Sequence, residues 1–376
     1  DKDLFNGSAM TYYGRWTYKF EEAARQGAAA AIVIHETEPA SYGWKVVADS
    51  WSGPQIDLVR PDEGLSRAKL EGWLSIEAAQ DVFKAAGLDL KTLKAEAATK
   101  GFKPVPMPGV KLSARIDNEV KTVKSRNVVG GVKGSTYPDE YVLYMAHWDH
   151  LGAKDGKPGE DHIHNGAVDN ATGTALILEV GEAFAEGPQP ERSVMILAVT
   201  AEESGLLGSA YFAEDPIVPL KNIVAGINID ALYPVGRTKD VIMIGFGASE
   251  LDDIMAGHLK PRDKYITPDP RPEAGFYYRS DHISLAKKGV PMIYAKNGND
   301  HEVRGKEYGE AFAKTYGKER YHAPGDEYDH TWDLTGFKQI GEIYYDFGEA
   351  LANSRDWPNW YEGAEFRALR DEMRKP

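Results

Sequence analysis

The side chains best suited to chemistry in this 376-residue chain follow short apolar segments. His147 and Asp149 come directly after the apolar segment 141–146, and Asp169 lies 22 positions beyond His147. The segment is bounded by Pro138 and by polar residues, which predicts a buried strand. In open α/β sheets, the chemistry lies beyond the carboxyl ends of the strands. An imidazole and carboxylates that converge there can bind a zinc ion.

Two further apolar segments end in acidic residues. Segment 194–200 runs into Glu202 and Glu203, and segment 223–229 ends at Asp230. Near-continuous apolar segments are typical of strands buried on both faces of a sheet. Carboxylates gathered at one sheet edge repel one another, and a metal cation removes that repulsion. One such residue alone would more often be solvated, but the three strand ends together predict a metal site.

The adjacent residues Glu202 and Glu203 are suited to hydrolysis. Successive side chains at a strand end point in different directions, so one carboxylate can bind metal while its neighbour faces a substrate. A metal lowers the pKa of its bound water, and a free carboxylate can accept the proton and return it to a leaving amine. His322 is a candidate further ligand, and Tyr321 beside it could donate to a developing oxyanion.

The other histidines have no matching carboxylate pattern, and we interpret them as structural or solvated. They are His35, His150, His162, His164, His258, His282, His301 and His330. The interpretation stays open for His150, His162 and His164, because these three lie in the loop between His147 and Asp169.

The elements that must position these side chains repeat the order strand, loop, helix. A helix is predicted from near Thr172, with an apolar face formed by Leu176, Ile177, Val180, Ala183 and Phe184. Strands are also predicted at 241–244 and 291–295, and helices at about 249–259, 281–288 and 334–353. Residues 297–318 are assigned no role other than a lid or pocket wall, and residues 357–376 are predicted to form a surface helix.

The N-terminal part of the chain contains no cluster of candidate ligands or nucleophiles. Helices are predicted at 18–25 and 75–86, with Ser75 as a cap, and a strand is predicted to end near His35. Residues 101–110 are rich in Pro and Gly, which predicts a linker. Alternating apolar residues from Val110 to Ile116, followed by segment 127–132, predict a hairpin.

Composition narrows the class of protein. A length of 376 residues predicts two domains. The net charge of −14 argues against a nucleic-acid partner. The chain has no cysteine, so a metal must be held by His, Asp and Glu. No apolar run approaches the roughly 20 residues that span a bilayer.

The order of short motifs resembles a known enzyme family. HWD, GAVDNATG, AEESGLLGS, NID, SDHISLAKKGVP and YHAPGDEYD follow one another within about residues 110–353. This set is similar to that of the di-zinc aminopeptidases, the family of secreted bacterial leucyl aminopeptidases and relatives of glutamate carboxypeptidase. The segment TYKFEEAARQGAAAAIVIHE resembles a protease-associated domain, a common insertion in that family.

The resemblance implies a fold and a division into domains. The fold would be α/β, a three-layer α/β/α zinc exopeptidase fold with a mixed, mostly parallel central sheet. Residues 1–105 would form the smaller protease-associated domain, without its opening strand or the core segments that usually precede it. Residues 106–376 would form the di-zinc catalytic domain.

The resemblance also implies two Zn²⁺ ions per chain. His147 and Asp230 would complete one zinc site. Glu203 and His322 would complete the other, and Asp169 would bridge both ions.

Further roles are implied around these ligands. Glu202 would be the general base that takes a proton from a water or hydroxide shared by the zinc ions. Tyr321 would polarise the substrate carbonyl or stabilise the oxyanion, and Asp149 would orient His147. The peptide bond between Asp169 and Asn170 is expected to be cis.

The activity implied is that of an aminopeptidase acting on peptides, in the periplasm or outside the cell. A carboxypeptidase or dipeptidase would use the same metal site, and Arg279, near the expected pocket, could hold a substrate carboxylate. A glutaminyl cyclase and a non-catalytic binding protein on a degenerate peptidase fold are further alternatives. Nothing in the sequence indicates the oligomeric state.

Overall fold

The structure, a computed structural model, describes residues 11–40, 42–51, 53–62, 64 and 67–375. These residues form two compact units. The first consists of the described residues up to Lys124 together with Arg271–Gly275, and the second consists of Ser125–Pro270 and the residues from Phe276 onward. No helix among the described residues combines the length and apolarity needed to cross a lipid bilayer.

The first unit contains a two-stranded parallel sheet with helices before and after each strand. Its strands are β1 (Ala30–His35) and β2 (Leu70–Ser75), and its helices are α1 (Trp16–Arg25), α2 (Thr37–Ala40), α3 (Trp44–Trp51), α4 (Ile76–Ala85) and α5 (Leu90–Ala97). The predicted helices and the strand ending near His35 are confirmed here. Ser75 caps α4 as expected, because its Oγ accepts a hydrogen bond from the amide of Ala78 at 3.3 Å.

The predicted hairpin is wrong. Residues 110–126 form no strand, and the side chains of Leu112 and Ile116 are 60% and 62% exposed. The second half of the prediction is confirmed as β3 (Val128–Val132), but β3 pairs antiparallel with a later strand of the second unit. Alternating apolar residues form a strand only where a neighbouring backbone accepts the ladder of hydrogen bonds.

The second unit is built on a seven-stranded sheet with the order β10-β9-β11-β8-β4-β7-β3. Its other strands are β4 (Tyr137–His147), β7 (Arg192–Val199), β8 (Ile223–Asn228), β9 (Asp240–Ile244), β10 (Tyr265–Pro268) and β11 (Met292–Asn297). The short strands β5 (Gly152–Ala153) and β6 (Ile163–His164) form a separate ribbon. Four neighbouring pairs are parallel, whereas β11 with β9 and β3 with β7 are antiparallel. The predicted mixed, mostly parallel α/β sheet is confirmed.

Helices cover both faces of this sheet. They are α6 (Thr172–Glu186), α7 (Leu207–Glu214), α8 (Leu251–Leu259), α9 (His282–Ala286), α10 (Lys306–Glu319), α11 (Thr335–Ala352) and α12 (Arg367–Met373). Side chains alternate along β4, so Tyr144 packs in a core with α6, α8 and α11. Leu143 faces the opposite core, where it joins Phe212 of α7 and Leu285 of α9. The predicted three layers are therefore present.

Several predicted details differ in the structure. The predictions did not include β10, α7 or α10, and Ala183 on α6 is exposed. The C-terminal segment is more than a surface helix, because Trp360 and Arg370 are buried. The Arg370 guanidinium donates to the carbonyl oxygens of Ile223 and Val224 at 3.1 and 3.0 Å, which fixes the C-terminal segment to the start of β8.

Candidate metal centre

The three strands that lead into the candidate ligands are direct neighbours. β4 pairs in parallel with β7 on one side and with β8 on the other. His147 is the last residue of β4, Glu202 and Glu203 follow β7, and Asp230 follows β8. Because parallel strands present their carboxyl ends at one edge, these side chains meet there. The predicted adjacency of the three strand ends is confirmed.

Asp169 lies in the turn that precedes α6, and its peptide bond to Asn170 is cis, as expected. The buried carboxylate of Asp326 accepts hydrogen bonds from the amides of Val168 and Asp169, both at 3.0 Å. Tyr316 donates from its hydroxyl to the same carboxylate at 3.0 Å. Asp326 therefore fixes the position of the backbone at Val168 and Asp169.

Asn170 connects the Asp169 turn to the end of β8. Its side-chain amide donates to the carbonyl oxygen of Ile229 at 2.9 Å. Its Oδ1 accepts from the amides of Gly173 and Ala231 at 3.0 and 3.1 Å. Since Asp230 lies between Ile229 and Ala231, Asn170 fixes the spacing between two candidate ligands.

The candidate ligands form two groups that share Asp169. On one side, His147 Nε2 lies 3.2 Å from Asp169 Oδ1 and 3.6 Å from Asp230 Oδ1. On the other side, His322 Nε2 lies 3.3 Å from Asp169 Oδ2 and 3.1 Å from Glu203 Oε2. Two ligands of one tetrahedral zinc lie about 3.3 Å apart, given bonds of about 2.0–2.1 Å. These spacings therefore match two metal positions on either side of one carboxylate.

His322 and Tyr321 lie in the loop that follows α10. His322 adopts the left-handed backbone conformation, with φ of 56°, which is uncommon for a residue with a side chain. The Tyr321 ring stacks on the His322 ring, with centroids 3.9 Å apart and planes 26° apart. Tyr321 as a whole residue is 41% exposed, but burial of its phenol raises the pKa of that group.

Asp149 organises the loop that carries both glutamates. Its Oδ1 and Oδ2 accept hydrogen bonds from the amides of Glu202 and Glu203 at 3.0 and 3.3 Å. The main-chain oxygen of Asp149 lies 3.1 Å from His147 Nδ1, whereas its carboxylate is 3.8 Å away. The Asp149 carboxylate was expected to orient His147, but the main-chain oxygen of Asp149 is the nearer group. The two amide hydrogen bonds were not predicted, since sequence patterns do not reveal backbone donors.

The electrostatics of the centre are those of a carboxylate cluster that lacks enough positive charge. Burial would lower the pKa of His147, but the carboxylates of Glu202, Asp169 and Asp230 outweigh it and raise that pKa well above its usual range. Burial likewise disfavours protonated His322, but Glu203 and Asp169 raise its pKa. Both shifts show that the surrounding carboxylates favour positive charge at these two positions.

The pKa values of Asp169 and Glu202 are shifted in opposite directions. Burial would raise the pKa of Asp169, but the close imidazoles of His147 and His322 hold it well below its usual range. Burial and the nearby carboxylates of Glu203 and Asp281 hold the pKa of Glu202 well above its usual range. A divalent cation would favour the ionised form of such a carboxylate.

The donor set fits zinc. It offers imidazole nitrogens and carboxylate oxygens, with no competing lysine or arginine among the candidate ligands. His147 Nε2, which faces Asp169 and Asp230, is buried and has no hydrogen-bond partner among the described residues. Buried polar atoms without partners are costly, and a metal ion would provide the missing partner for atoms that face it.

Three supporting residues were not predicted. Asp326 lies within the quoted motif YHAPGDEYD, and Asn170 lies within GAVDNATG, so the motifs could have indicated both. Ser280 donates to Asp230 Oδ2 at 2.6 Å, and it accepts from the Asn228 side chain at 2.7 Å. Ser280 begins the quoted motif SDHISLAKKGVP, but no spacing in the sequence connects it with Asp230. Their contact arises where α9, which follows Ser280, packs against β8.

The part of the chain that contains these residues matches a known protein family. Residues 127–348 match the family described as peptidase family M28. The matched segment covers more than half of the chain and contains every residue of the two ligand groups, together with Glu202 and Tyr321.

Individual relatives match shorter parts. A glutamate carboxypeptidase 2 homolog of Caenorhabditis elegans is 33% identical over 130 residues, which cover 33% of this chain and 15% of that protein. An aminopeptidase of Mus musculus, NAALADL1, is 34% identical over 128 residues, which cover 32% of this chain and 16% of that protein. Each match thus spans less than a fifth of the curated relative.

Solved structures also resemble the chain. An aminopeptidase from Aneurinibacillus sp. strain AM-1 aligns with 93% of this chain and 69% of its own, at 18% identity and a TM-score of 0.47.

Proposed function

The chain belongs to peptidase family M28, and from this premise we propose that it is a two-zinc aminopeptidase that removes N-terminal residues from peptides. The observation that carries the proposal is the position of Asp169 between two histidine–carboxylate groups. In this proposal, His147, Asp169 and Asp230 hold one zinc, and Glu203, Asp169 and His322 hold the other.

Bound zinc would lower the pKa of water and polarise the scissile carbonyl. Glu202 takes the proton from the attacking water and delivers it to the departing amine. Two features support this role: Glu202 is adjacent to the ligand Glu203, and its amide is held by Asp149. Tyr321 donates its hydroxyl to the developing oxyanion. Desolvation by burial, together with the carboxylates of Asp169 and Glu203, raises the pKa of the Tyr321 phenol, which keeps it a neutral donor.

The charge of the site supports cleavage from the N-terminus. When all are ionised, the six carboxylates of this region carry more negative charge than the four positive charges of two zinc ions can neutralise. They are Asp149, Asp169, Glu202, Glu203, Asp230 and Asp281. A site with excess negative charge attracts a free α-ammonium group and repels a free α-carboxylate. Burial raises the pKa of Asp281 to about 7, and a nearby ammonium group would favour its ionised form.

One observation favours a carboxypeptidase or dipeptidase as the second candidate. Arg279 lowers the pKa of Tyr321 through space, so its guanidinium lies on the Tyr321 side of the centre. A guanidinium there could bind a substrate carboxylate with two parallel hydrogen bonds. The glutamate carboxypeptidase homolog among the relatives is compatible with this alternative.

Hydrolysis of a substrate panel separates the two candidates. We expect the protein to cleave aminoacyl-arylamides with a free α-amino group, to spare the N-acetylated forms, and to lose activity with chelator. The matched substrates differ only in the acetyl group, so they test recognition of the α-amino group. Cleavage confined to N-acetylated peptides with a free C-terminus would reject the aminopeptidase and favour the second candidate.

The proposal also includes a role for the first unit and a cellular location for the protein. Within the described part of the first unit, no three metal-binding side chains converge. We propose that it is a protease-associated domain with a substrate-shielding role, because the segment TYKFEEAARQGAAAAIVIHE resembles that domain. Action in the periplasm or outside the cell follows from the same family resemblance.

A further inference from the structure

His150 is a buried histidine beside the proposed metal centre to which the five-ligand scheme gives no role. It follows Asp149 in the loop after β4, and its side chain is 7% exposed. His150, Asp169 and Glu203 each offer one donor atom, and these atoms lie within 4.8 Å of one another. His150 therefore belongs to the same cluster of donors as the proposed second zinc position.

The contact between His150 and Glu203 is short but is not a hydrogen bond. His150 Nδ1 lies 2.7 Å from Glu203 Oε1. Neither atom has a hydrogen-bond partner of acceptable geometry among the described residues, and neither does His150 Nε2. Leaving both nitrogens of a buried imidazole without partners is costly. A metal ion bound by both residues would supply a partner for these buried polar atoms.

The position of His322 is consistent with a shared centre. His322 Nε2 lies 3.1 Å from the other oxygen of the same carboxylate, Glu203 Oε2. The rings of His150 and His322 are 5.8 Å apart and nearly perpendicular, at 78°. The two imidazoles thus contact different oxygens of Glu203.

The position of the His150 ring is built into the fold. Gly166 packs against it with φ of 64°, and a Cβ at residue 166 would lie 2.6 Å from His150 Cγ. Glycine is therefore required at this position both by its backbone conformation and by the close approach of the ring. The next residue, Ala167, donates its amide to the carbonyl oxygen of Asp326 at 3.0 Å, which places Gly166 beside the backbone that carries Asp169.

The structure assigns His150 as a further protein ligand of the zinc position formed by Asp169, Glu203 and His322. This inference rests on the proposed two-zinc function. Four protein ligands would close this position, whereas His147, Asp169 and Asp230 leave one place open at the other. The His150 position would then mainly retain its metal, and the open position would be the more accessible to substrate.

Nitrogen-15 NMR of histidine-labelled full-length protein tests the inference. Zinc is titrated into the metal-free protein, and the histidine rings whose nitrogens shift on zinc coordination are counted. We expect three in the wild type, from His147, His150 and His322, and two in His150→Gln. His162→Gln is the matched control, because His162 lies in the same loop but is exposed, and it should show three.

Chelator competition supplies a second readout that does not depend on activity. We expect His150→Gln to release one of its two zinc ions at a chelator concentration on the order of tenfold lower than the wild type does, with the other unchanged. His162→Gln should release both ions as the wild type does.

The outcomes separate this inference from the proposed function. A wild type that binds two zinc ions but shows only two coordinated histidines would overturn the inference and leave the function standing, with His150 at most positioning Glu203. A wild type that binds no zinc would overturn both. If His150→Gln does not fold, the number of zinc-coordinated histidines in the wild type and in His162→Gln still decides whether His150 is a ligand.

Discussion

The two carboxylate oxygens of Asp169 face different histidines. Oδ1 lies 3.2 Å from His147 Nε2, and Oδ2 lies 3.3 Å from His322 Nε2. A carboxylate in this position can bind a metal through each oxygen, so one residue sets the separation of two ions, typically ~3.5–4 Å. Glu202 is next in chain to a proposed ligand, which leaves its own carboxylate available for proton transfer.

A conservative change of Glu202 separates catalysis from metal binding. Glu202→Gln keeps the shape of the side chain but cannot accept a proton. We expect kcat to fall on the order of 10²–10⁴-fold, because this is the range that general acid–base catalysis contributes. Zinc content, measured by elemental analysis, should stay at the wild-type value. A variant with unchanged kcat would exclude Glu202 as the base.

The elements around the centre are joined by hydrogen bonds that bring distant segments together. Asp326, from the loop after α10, accepts from the amides of Val168 and Asp169 before α6. Glu302, after β11, similarly accepts from Lys264 at 2.9 Å, from Arg237 at 3.0 Å and from Gln339 of α11 at 2.9 Å. Such contacts fix the loops between elements, in addition to the packing of the sheet and helices.

The Glu302 network predicts a specific loss of stability in acid. Burial opposes ionisation of Glu302, but its hydrogen bonds outweigh it and lower its pKa to about 2. Because the folded pKa lies below the unfolded value of about 4.3, ionised Glu302 stabilises the native state above that pH. This contribution is lost as the pH falls from about 4.3 towards 2.

Denaturant unfolding of the wild type and Glu302→Gln at several pH values measures this effect. The wild type should be the more stable at pH 7, and the difference in free energy of unfolding should shrink below about pH 4.3. A difference that stays constant between pH 7 and pH 3 would show that ionisation of Glu302 does not stabilise the fold.

Sequence patterns predicted those elements whose apolar residues are buried by the sheet. The strands leading to His147, Glu202 and Asp230 were predicted because each is a continuous apolar segment. Strand β10 was missed, because it is a short edge strand with partly exposed residues. The Val110–Ile116 strand was predicted wrongly, because alternation indicates amphipathicity but does not supply a pairing partner.

In the site, the candidate ligands were predicted from the sequence, but the residues that support them were not. Ligand candidates were identified because imidazoles and carboxylates follow strands, and the motif order suggested how to group them. The supports were not identified, although all three lie within the quoted motifs, because Ser280, for example, reaches Asp230 only when α9 packs against β8. Contacts made by side chains on distant segments leave no local signal in the sequence.

At the scale of the whole molecule, the two units differ in their chemistry. Both ligand groups that converge among the described residues lie in the second unit. Its core includes buried side chains from β4, β8, α6 and α11, so ligand loops are carried by a well-packed sheet. Metal binding should therefore stabilise the second unit selectively.

Removal of metal should lower the melting temperature of only one unit. A ligand that binds the folded state stabilises it by RT ln(1 + [L]/Kd), about 2.7 kcal/mol at 100 times Kd. In calorimetry, we expect chelator to lower the transition of the second unit and to leave any separate transition of the first unit unchanged. The variant Asp169→Asn should not respond to chelator. A shift confined to the first unit would contradict the assignment.

The zinc content of the wild type and of two ligand variants tests the central claim most directly. We expect elemental analysis of zinc-saturated, desalted protein to give two zinc ions per chain in the wild type. His147→Gln and His322→Gln should each retain about one, because each removes a ligand from a different side of Asp169. His162→Gln should retain two. A wild type with one zinc or none, or two zinc ions retained in both ligand variants, would contradict a two-zinc centre bridged by Asp169.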